Sequence, residues 1–460
     1  MDLIEAVIDH VIETHIRNID ARTVAAVKTV IVDTMGAAVA GSSAEKVPEL
    51  TALVRGWGGK KEATLLVDGG RVPASDAALV NCCMARAWDI DEVHEGGGGH
   101  LSASVIPTAF ILAQYSGKPI SGKELIVSVA IATDLICRMR QALEVQHGWV
   151  AETFAPFGVV AVASRFLGFD RDRTLAAMGL AYAQCSSNTQ GTVDGALSVR
   201  LQQGLAAKAG VLAAQFAEIG FAGPRNILEG TYGLYPLYAR GAYNPEKITR
   251  ELGERFEIAS TSLKPYPSCK HTHIPIAAVA RLVREHDIAP DNIARITVRT
   301  NRDAYHKCAS DPAKRRPQSV VDLQFSIPLM VALAVKQGGV TLKDLKAATW
   351  QDESLLKIAN KVETRIDPEL DALPVLIAPN IIEMDMLDGT RHTGRVDFVK
   401  GSPQNPMTMA ECSEKFMQCV SFSARPIAAD NARQFMQAIA DLENIDDIRP
   451  LAELLVGAAA

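Results

Sequence analysis

The first half of the chain is written in small residues at helical spacing, and this pattern restricts the fold more than any other feature. Between Ala21 and Ala40, Val24, Val27, Ile31, Met35 and Val39 recur on one helical face, and the run stops at Gly41. Ser75 to Trp88 repeats the pattern. The box Ser121-Gly-Lys-Glu124 opens a strongly apolar helix reaching about Met139, and further helices are expected over 157–167, 175–184 and 204–219, with Asp170 or Asp172 capping one of them. Helices rich in alanine and glycine approach one another closely, so this part should be a compact helical domain without a wide cofactor channel. A short strand and turn, Ala63 to Val67 and then Asp68-Gly69-Gly70, interrupts it.

The pattern changes near residue 260. Lys264-Pro-Tyr-Pro-Ser-Cys-Lys-His-Thr-His273 begins with two prolines that exclude a helix, which should start only at Pro275 and run to His286. A strand is expected over 293–299, helices over 320–336 and 353–362, and a hairpin of 381–387 and 391–399 around Asp388-Gly389. After residue 401 the chain is helical again, with Thr408 and Glu411 forming a capping box. The fold class is therefore mainly α: a large all-helical domain from discontinuous segments 1–262 and 401–460, and a smaller α+β domain at 263–400.

Composition narrows the function. A 460-residue chain with 48% hydrophobic residues and net charge −6 has ample core and no basic footprint for nucleic acid. Its eight cysteines form no C-x-x-C pair and suggest reduced core residues of a cytoplasmic protein. The acidic, amphipathic start does not resemble a signal peptide, and no apolar stretch reaches the ~18 residues expected of a membrane span.

Two stretches hold the chemistry. Asp89, Asp91, His94 and His100 crowd a loop containing Gly96 to Gly99, a run costly to order and unnecessary for a core, although a solvated connection between helices would also tolerate such charges. Lys264, Lys270, His271 and His273 share ten residues of a proline-stiffened segment, and cations concentrated in an acidic protein suggest an anionic ligand, most simply carboxylates. The alternative is an exposed basic loop. If the two stretches meet, one offers carboxylate and imidazole for proton transfer and the other holds a small di- or tricarboxylate. The histidine spacings match no specific zinc or iron signature, so no metal is assigned, and the glycines lack the setting of a nucleotide loop. Ser262 and Cys269 are weak nucleophile candidates.

These same residues carry a resemblance. Ala87-Trp-Asp-Ile-Asp-Glu with His100-Leu-Ser-Ala-Ser-Val-Ile-Pro107, Phe221-Ala-Gly-Pro with Ile227-Leu-Glu-Gly230, Lys264-Pro-Tyr-Pro with Thr272-His273, Pro317 to Ser326, and Lys400-Gly-Ser-Pro with Asn405-Pro406 resemble the MmgE/PrpD family. That family includes 2-methylcitrate dehydratase, cis-aconitate decarboxylase and iminodisuccinate epimerase. The resemblance implies a cofactor-free site and a homodimer. It also implies that Asp89, His100 and Lys264 are catalytic, with His100 oriented by Asp89, and that Arg200, Lys270, His273, Asp91 and Glu152 serve substrate binding, Glu152 also being a candidate proton carrier. Three positions depart from the family pattern: Val150 stands where a histidine is usual, Val199 to Gly204 lacks a lysine and a histidine, and Leu101 replaces a proline. The implied activity is a hydro-lyase acting on a small polycarboxylate, with epimerisation next, and decarboxylation or a non-catalytic carboxylate binder as further alternatives.

Overall fold

The computed structural model describes residues 3–97, 99–145 and 147–458, so Gly98 of the glycine run lies outside the described residues, as do Met1 and Asp2 of the acidic start. The chain is mostly helical with a small sheet. It divides into two compact units: Met1–Thr189 with Ser198–Thr261 and Thr408–Ala460, and Gln190–Leu197 with Ser262–Met407.

In the first unit, the helices Ala74–Arg86, Ser102–Ser116, Gly122–Gln141 and Ala155–Leu167 bury almost every apolar side chain they carry, Ala21–Gly41 buries most of its own, and Ser198–Glu218 buries one face while leaving Leu205 and Phe216 exposed. Small residues set their spacing. At Gly204 an added Cβ would lie 2.1 Å from the Leu79 carbonyl oxygen, so the Ser198 and Ala74 helices touch backbone to backbone there. The Asp20 and Ser121 side chains accept the amides of Thr23 and Glu124 and fix two helix starts, and Asp170 rather than Asp172 caps the helix Arg171–Tyr182. From the C-terminal segment, the helix Met409–Val420 packs on Ala21–Gly41 after the Thr408–Glu411 capping box.

Ala21–Gly41 corrects one expectation, because it is long and apolar enough to cross a membrane by length and composition. Its most apolar window is 72% buried inside this unit, and packing against the Ala74 and Met409 helices accounts for the apolarity.

The second unit is built on a four-stranded sheet in the order Val362–Ile366, Ile293–Thr300, Asn380–Met386, Arg391–Val396, with the first pair parallel and the others antiparallel. The hairpin turns at Gly389, whose φ of +88° suits glycine. The helix Lys270–Glu285 lies on the sheet.

Several boundaries differ from expectation: the helices expected from residues 204 and 175 begin at Ser198 and Arg171, and the last hairpin strand ends at Val396. The helix over 320–336 is two, Val320–Gln324 and Ile327–Gln337, because Ser326 takes the Leu329 amide and Pro328 follows in the new first turn. The helix over 353–362 ends at Ala359, and Val362 begins a strand. Lys270 rather than Pro275 starts its helix, with Pro275 inside it. The early strand is only Ala63–Thr64, paired with Arg71–Val72.

Candidate active site

Where the Ala74–Arg86 helix ends, Asp89 takes a left-handed φ of +54°, a conformation aspartate enters more readily than most residues. The chain then turns so that His100 meets both aspartates. His100 Nδ1 lies 2.8 Å from Asp91 Oδ2, and its Nε2 lies 3.8 Å from Asp89 Oδ1. Asp91, two residues later, is thus the carboxylate nearer the ring, where Asp89 was expected to orient it.

Two guanidiniums neutralise this acidic pocket. Arg86 pairs with Asp89, lies 3.6 Å from Asp91, and places its Nε 3.9 Å from Glu152. Arg200 reaches Asp89 at 3.6 Å from the first turn of the Ser198 helix. Burial pulls Arg86 towards losing its proton, but Asp89, Asp91 and Glu152 outweigh it and raise its pKa. Arg200 goes the other way: burial, then repulsion from Arg86, lowers it to about 10. The ion pairs are buried, whereas the His100 side chain is 12% exposed, which leaves the imidazole within reach of a small molecule.

On either side of Gly98 the glycine run is tied to His94. His94 and Gly99 form an antiparallel bridge, and the Gly97 amide donates to His94 Nδ1 at 2.7 Å. His94 Nε2 lies 3.1 Å from Glu257 Oε2. Burial raises the Glu257 carboxyl, but His94 and Arg255 beside it outweigh burial and lower its pKa to about 2. At Gly99 an added Cβ would fall 2.1 Å from Ala151 Cβ, so the loop presses against the turn Ala151–Thr153 that presents Glu152. With its amide oriented to satisfy both neighbours, Gln203 donates to Glu152 Oε1 at 3.0 Å and accepts from Ser104. Lys415, from the C-terminal segment, donates to the Ile90 carbonyl at 2.7 Å and pairs with Asp33, pinning the chain between the two aspartates.

The second stretch, in the other unit, is buried, so it is not an exposed basic loop. Lys264, Lys270, His271 and His273 are each at most 6% exposed. His273 Nε2 lies 3.1 Å from the Ser268 carbonyl with its ring edge-on to Tyr266, and His271 pairs with Asp303 at 2.8 Å. Gln324 holds the proline segment by accepting the Cys269 amide on its backbone and donating from its side chain to the Pro267 carbonyl. Gly401 accepts the Leu263 amide, and an added Cβ there would lie 2.2 Å from the Leu263 carbonyl oxygen.

Sequence comparison now adds a decisive observation: residues 5–246 match the MmgE/PrpD N-terminal domain and residues 266–444 match the C-terminal domain. The chain belongs to the MmgE/PrpD family. Relatives include a cis-aconitate decarboxylase-like protein (oryM) of Aspergillus oryzae, 23% identical over 402 residues, covering 83% of this chain and 82% of the relative. A cis-aconitate decarboxylase of Aspergillus terreus is 23% identical, covering 82% and 80% of the two chains. The Homo sapiens cis-aconitate decarboxylase is 23% identical over 447 residues, covering 94% and 89%.

This MmgE/PrpD chain brings Asp89, Asp91, His100, Glu152 and Arg200 together within its first unit. Arg86, Gln203 and Lys415 join them although the sequence reading named none of them for the site. For Arg86 and Lys415 the available signal was a cation ending or inside a helix, where nothing apolar needs it; Gln203, an uncharged amide, carried no such signal. Among the described residues, two groups bring metal-type donor atoms within 4.8 Å: Asp89, Asp91 and His100, and His94, Cys137 and Glu257. The fit to a metal is poor in both. A guanidinium already stands beside the two aspartates, and His94 Nδ1 already accepts the Gly97 amide. Burial, with Glu257 and Asp134 nearby, also raises the Cys137 thiol well above its ordinary pKa, away from the thiolate a metal binds.

Proposed function

We propose that this protein is a lyase acting on a small polycarboxylate at a carbon next to a carboxylate, with His100 as the proton carrier. The observation that carries the reading is the 2.8 Å contact of His100 Nδ1 with Asp91 in a pocket also lined by Arg86 and Arg200. A proton α to a carboxylate is weakly acidic, so its removal needs a positioned base and fixed cations that stabilise the enediolate. Asp91 orients the imidazole, while the guanidiniums lower the cost of the developing charge. Loss of a β-hydroxyl from that intermediate makes the enzyme a hydro-lyase, the reaction we favour. Lys264 and His273, on the strength of the family motif, and Lys270, from the concentration of cations around it, are proposed as carboxylate-binding residues.

The names of the relatives favour a second reading, decarboxylation of cis-aconitate. That route reaches a carbanion by losing carbon dioxide, and His100 would then deliver a proton instead of removing one. Epimerisation is the third outcome of the same intermediate. Val150 in place of the usual histidine weakens the decarboxylase reading more than the other two.

Proton NMR of the protein incubated with cis-aconitate, 2-methylcitrate, citrate, malate, tartrate and iminodisuccinate separates these reactions by product. The expected result is conversion of one polycarboxylate that His100→Asn slows by about 100-fold or more while binding persists. Conversion unaffected by His100→Asn would refute the assignment.

We also propose a homodimer. Leu205, Phe216 and Ile219 lie along one face of the Ser198 helix and its exit, and Phe221 follows. All four are 40–73% exposed, an apolar stripe suited to cover by a second copy.

A further inference from the structure

Arg140 lies in the last turn of the helix Gly122–Gln141 and is only 5% exposed. A cation at a helix C-terminus is favoured by the backbone dipole, which accounts for an arginine there but not for its burial. A buried guanidinium is costly unless its donors are satisfied. Its neighbour in sequence obeys the rule: Arg138 bonds Asp134 and the carbonyls of Ile248, Arg250, Glu251 and Arg255. Arg86 and Arg200 also have carboxylate partners. Arg140 makes no ion pair within 4 Å and no side-chain hydrogen bond among the described residues, and its Nε is buried without a partner. Burial lowers its pKa to about 10, with the Glu152 charge the main opposing influence.

The helix that carries Arg140 packs against the turn Ala151–Thr153, and Glu152 in that turn lies 3.9 Å from Arg86. Gln141, the next residue, reaches the glycine loop: its amide nitrogen would be 3.4 Å from a Cβ built at Gly96. Arg140 thus lies in the last turn of a helix that borders the His100 pocket, without a hydrogen-bond or ion-pair partner among the described residues.

We propose that Arg140 is a substrate-binding residue that takes a carboxylate of the substrate distal to the carbon on which His100 acts. The proposal rests on the polycarboxylate reading and adds a preference to it. A tricarboxylate can fill both the pocket lined by Arg86 and Arg200 and the Arg140 position, whereas a dicarboxylate with one carboxylate fewer leaves the buried Nε of Arg140 without a partner. Sites with buried polar donors discriminate strongly against ligands that leave them unsatisfied.

The test is calorimetric titration of the full-length protein with cis-aconitate and with malate, for wild type, Arg140→Lys and Arg140→Met, alongside thermal melts without ligand. The expected result is cis-aconitate binding weakened by roughly 30-fold or more in Arg140→Met. Malate affinity should change less than about threefold, and Arg140→Lys should fall between. The ligand-free Arg140→Met protein should melt no lower than wild type, because the charge it removes has no partner. Unchanged cis-aconitate affinity, or a lower melting temperature with affinity intact, would overturn the proposal and make Arg140 structural. In that case a wild type that still binds cis-aconitate leaves the polycarboxylate reading standing, while a wild type that binds neither acid overturns both.

Discussion

Glu92 shows how one residue's surroundings set the pH behaviour of the fold. It lies between Asp91 and the start of the Ser102 helix, fully buried, and accepts the Ser102 amide. Burial raises its pKa from 4.5 to about 8 despite that hydrogen bond. Because the folded value exceeds the unfolded one, the stability linked to Glu92 is whole below about pH 4.5 and is lost as pH rises towards 8. The loss is on the order of a few kcal/mol. Glu92→Gln, which cannot ionise, should therefore melt nearer to wild type at pH 5 and clearly above it at pH 9. Parallel melting curves at both pH values would show that Glu92 does not govern this dependence. The sequence made the residue types of the site legible but not their pairing: Asp89 and Asp91 alternate in a loop, and nothing in their spacing tells which of them His100 approaches. Arg140 was hidden because an arginine ending an apolar helix has an ordinary explanation in the helix dipole.

At the scale of elements, the active-site loop is positioned by contacts that admit no extra atoms. Gly99→Ala would put a methyl into Ala151, displacing either the loop that leads into His100 or the turn that carries Glu152. Overpacking of this kind costs about 1–3 kcal/mol. The substitution should lower the melting temperature by several degrees and reduce turnover more than its effect on stability requires. A variant with wild-type melting and turnover would mean that the loop has room to give. Long helices were legible because their periodicity is repeated over several turns. Boundaries set by one side chain were less so, as at Ser326, where a hydroxyl cap and Pro328 split one apolar run into two helices. The strand Val362–Ile366 was concealed by the helix before it, since β-branched residues at a helix end read equally well as its last turn.

For the whole molecule, the apolar stripe ending at Phe221 leads to a prediction of assembly. Light scattering after size exclusion should return about twice the 49.4 kDa of one chain. A monomer at micromolar concentration would require another explanation for Ile219, which is 73% exposed. The mainly helical character and the small sheet were legible from the change in pattern near residue 260. The inclusion of Gln190–Leu197 in the second unit was not, because eight residues carry no periodicity of their own. The account as a whole depends on His100 moving a proton at a carbon beside a carboxylate. The most direct measurement brings the converted polycarboxylate and its product to equilibrium with the enzyme in D₂O and follows deuterium into the C–H position beside the carboxylate, which a hydro-lyase labels in its reverse, hydrating direction, comparing wild type with His100→Asn. Wild type should incorporate deuterium there and the variant should lose it. Incorporation at the same rate in both proteins would contradict the role of His100.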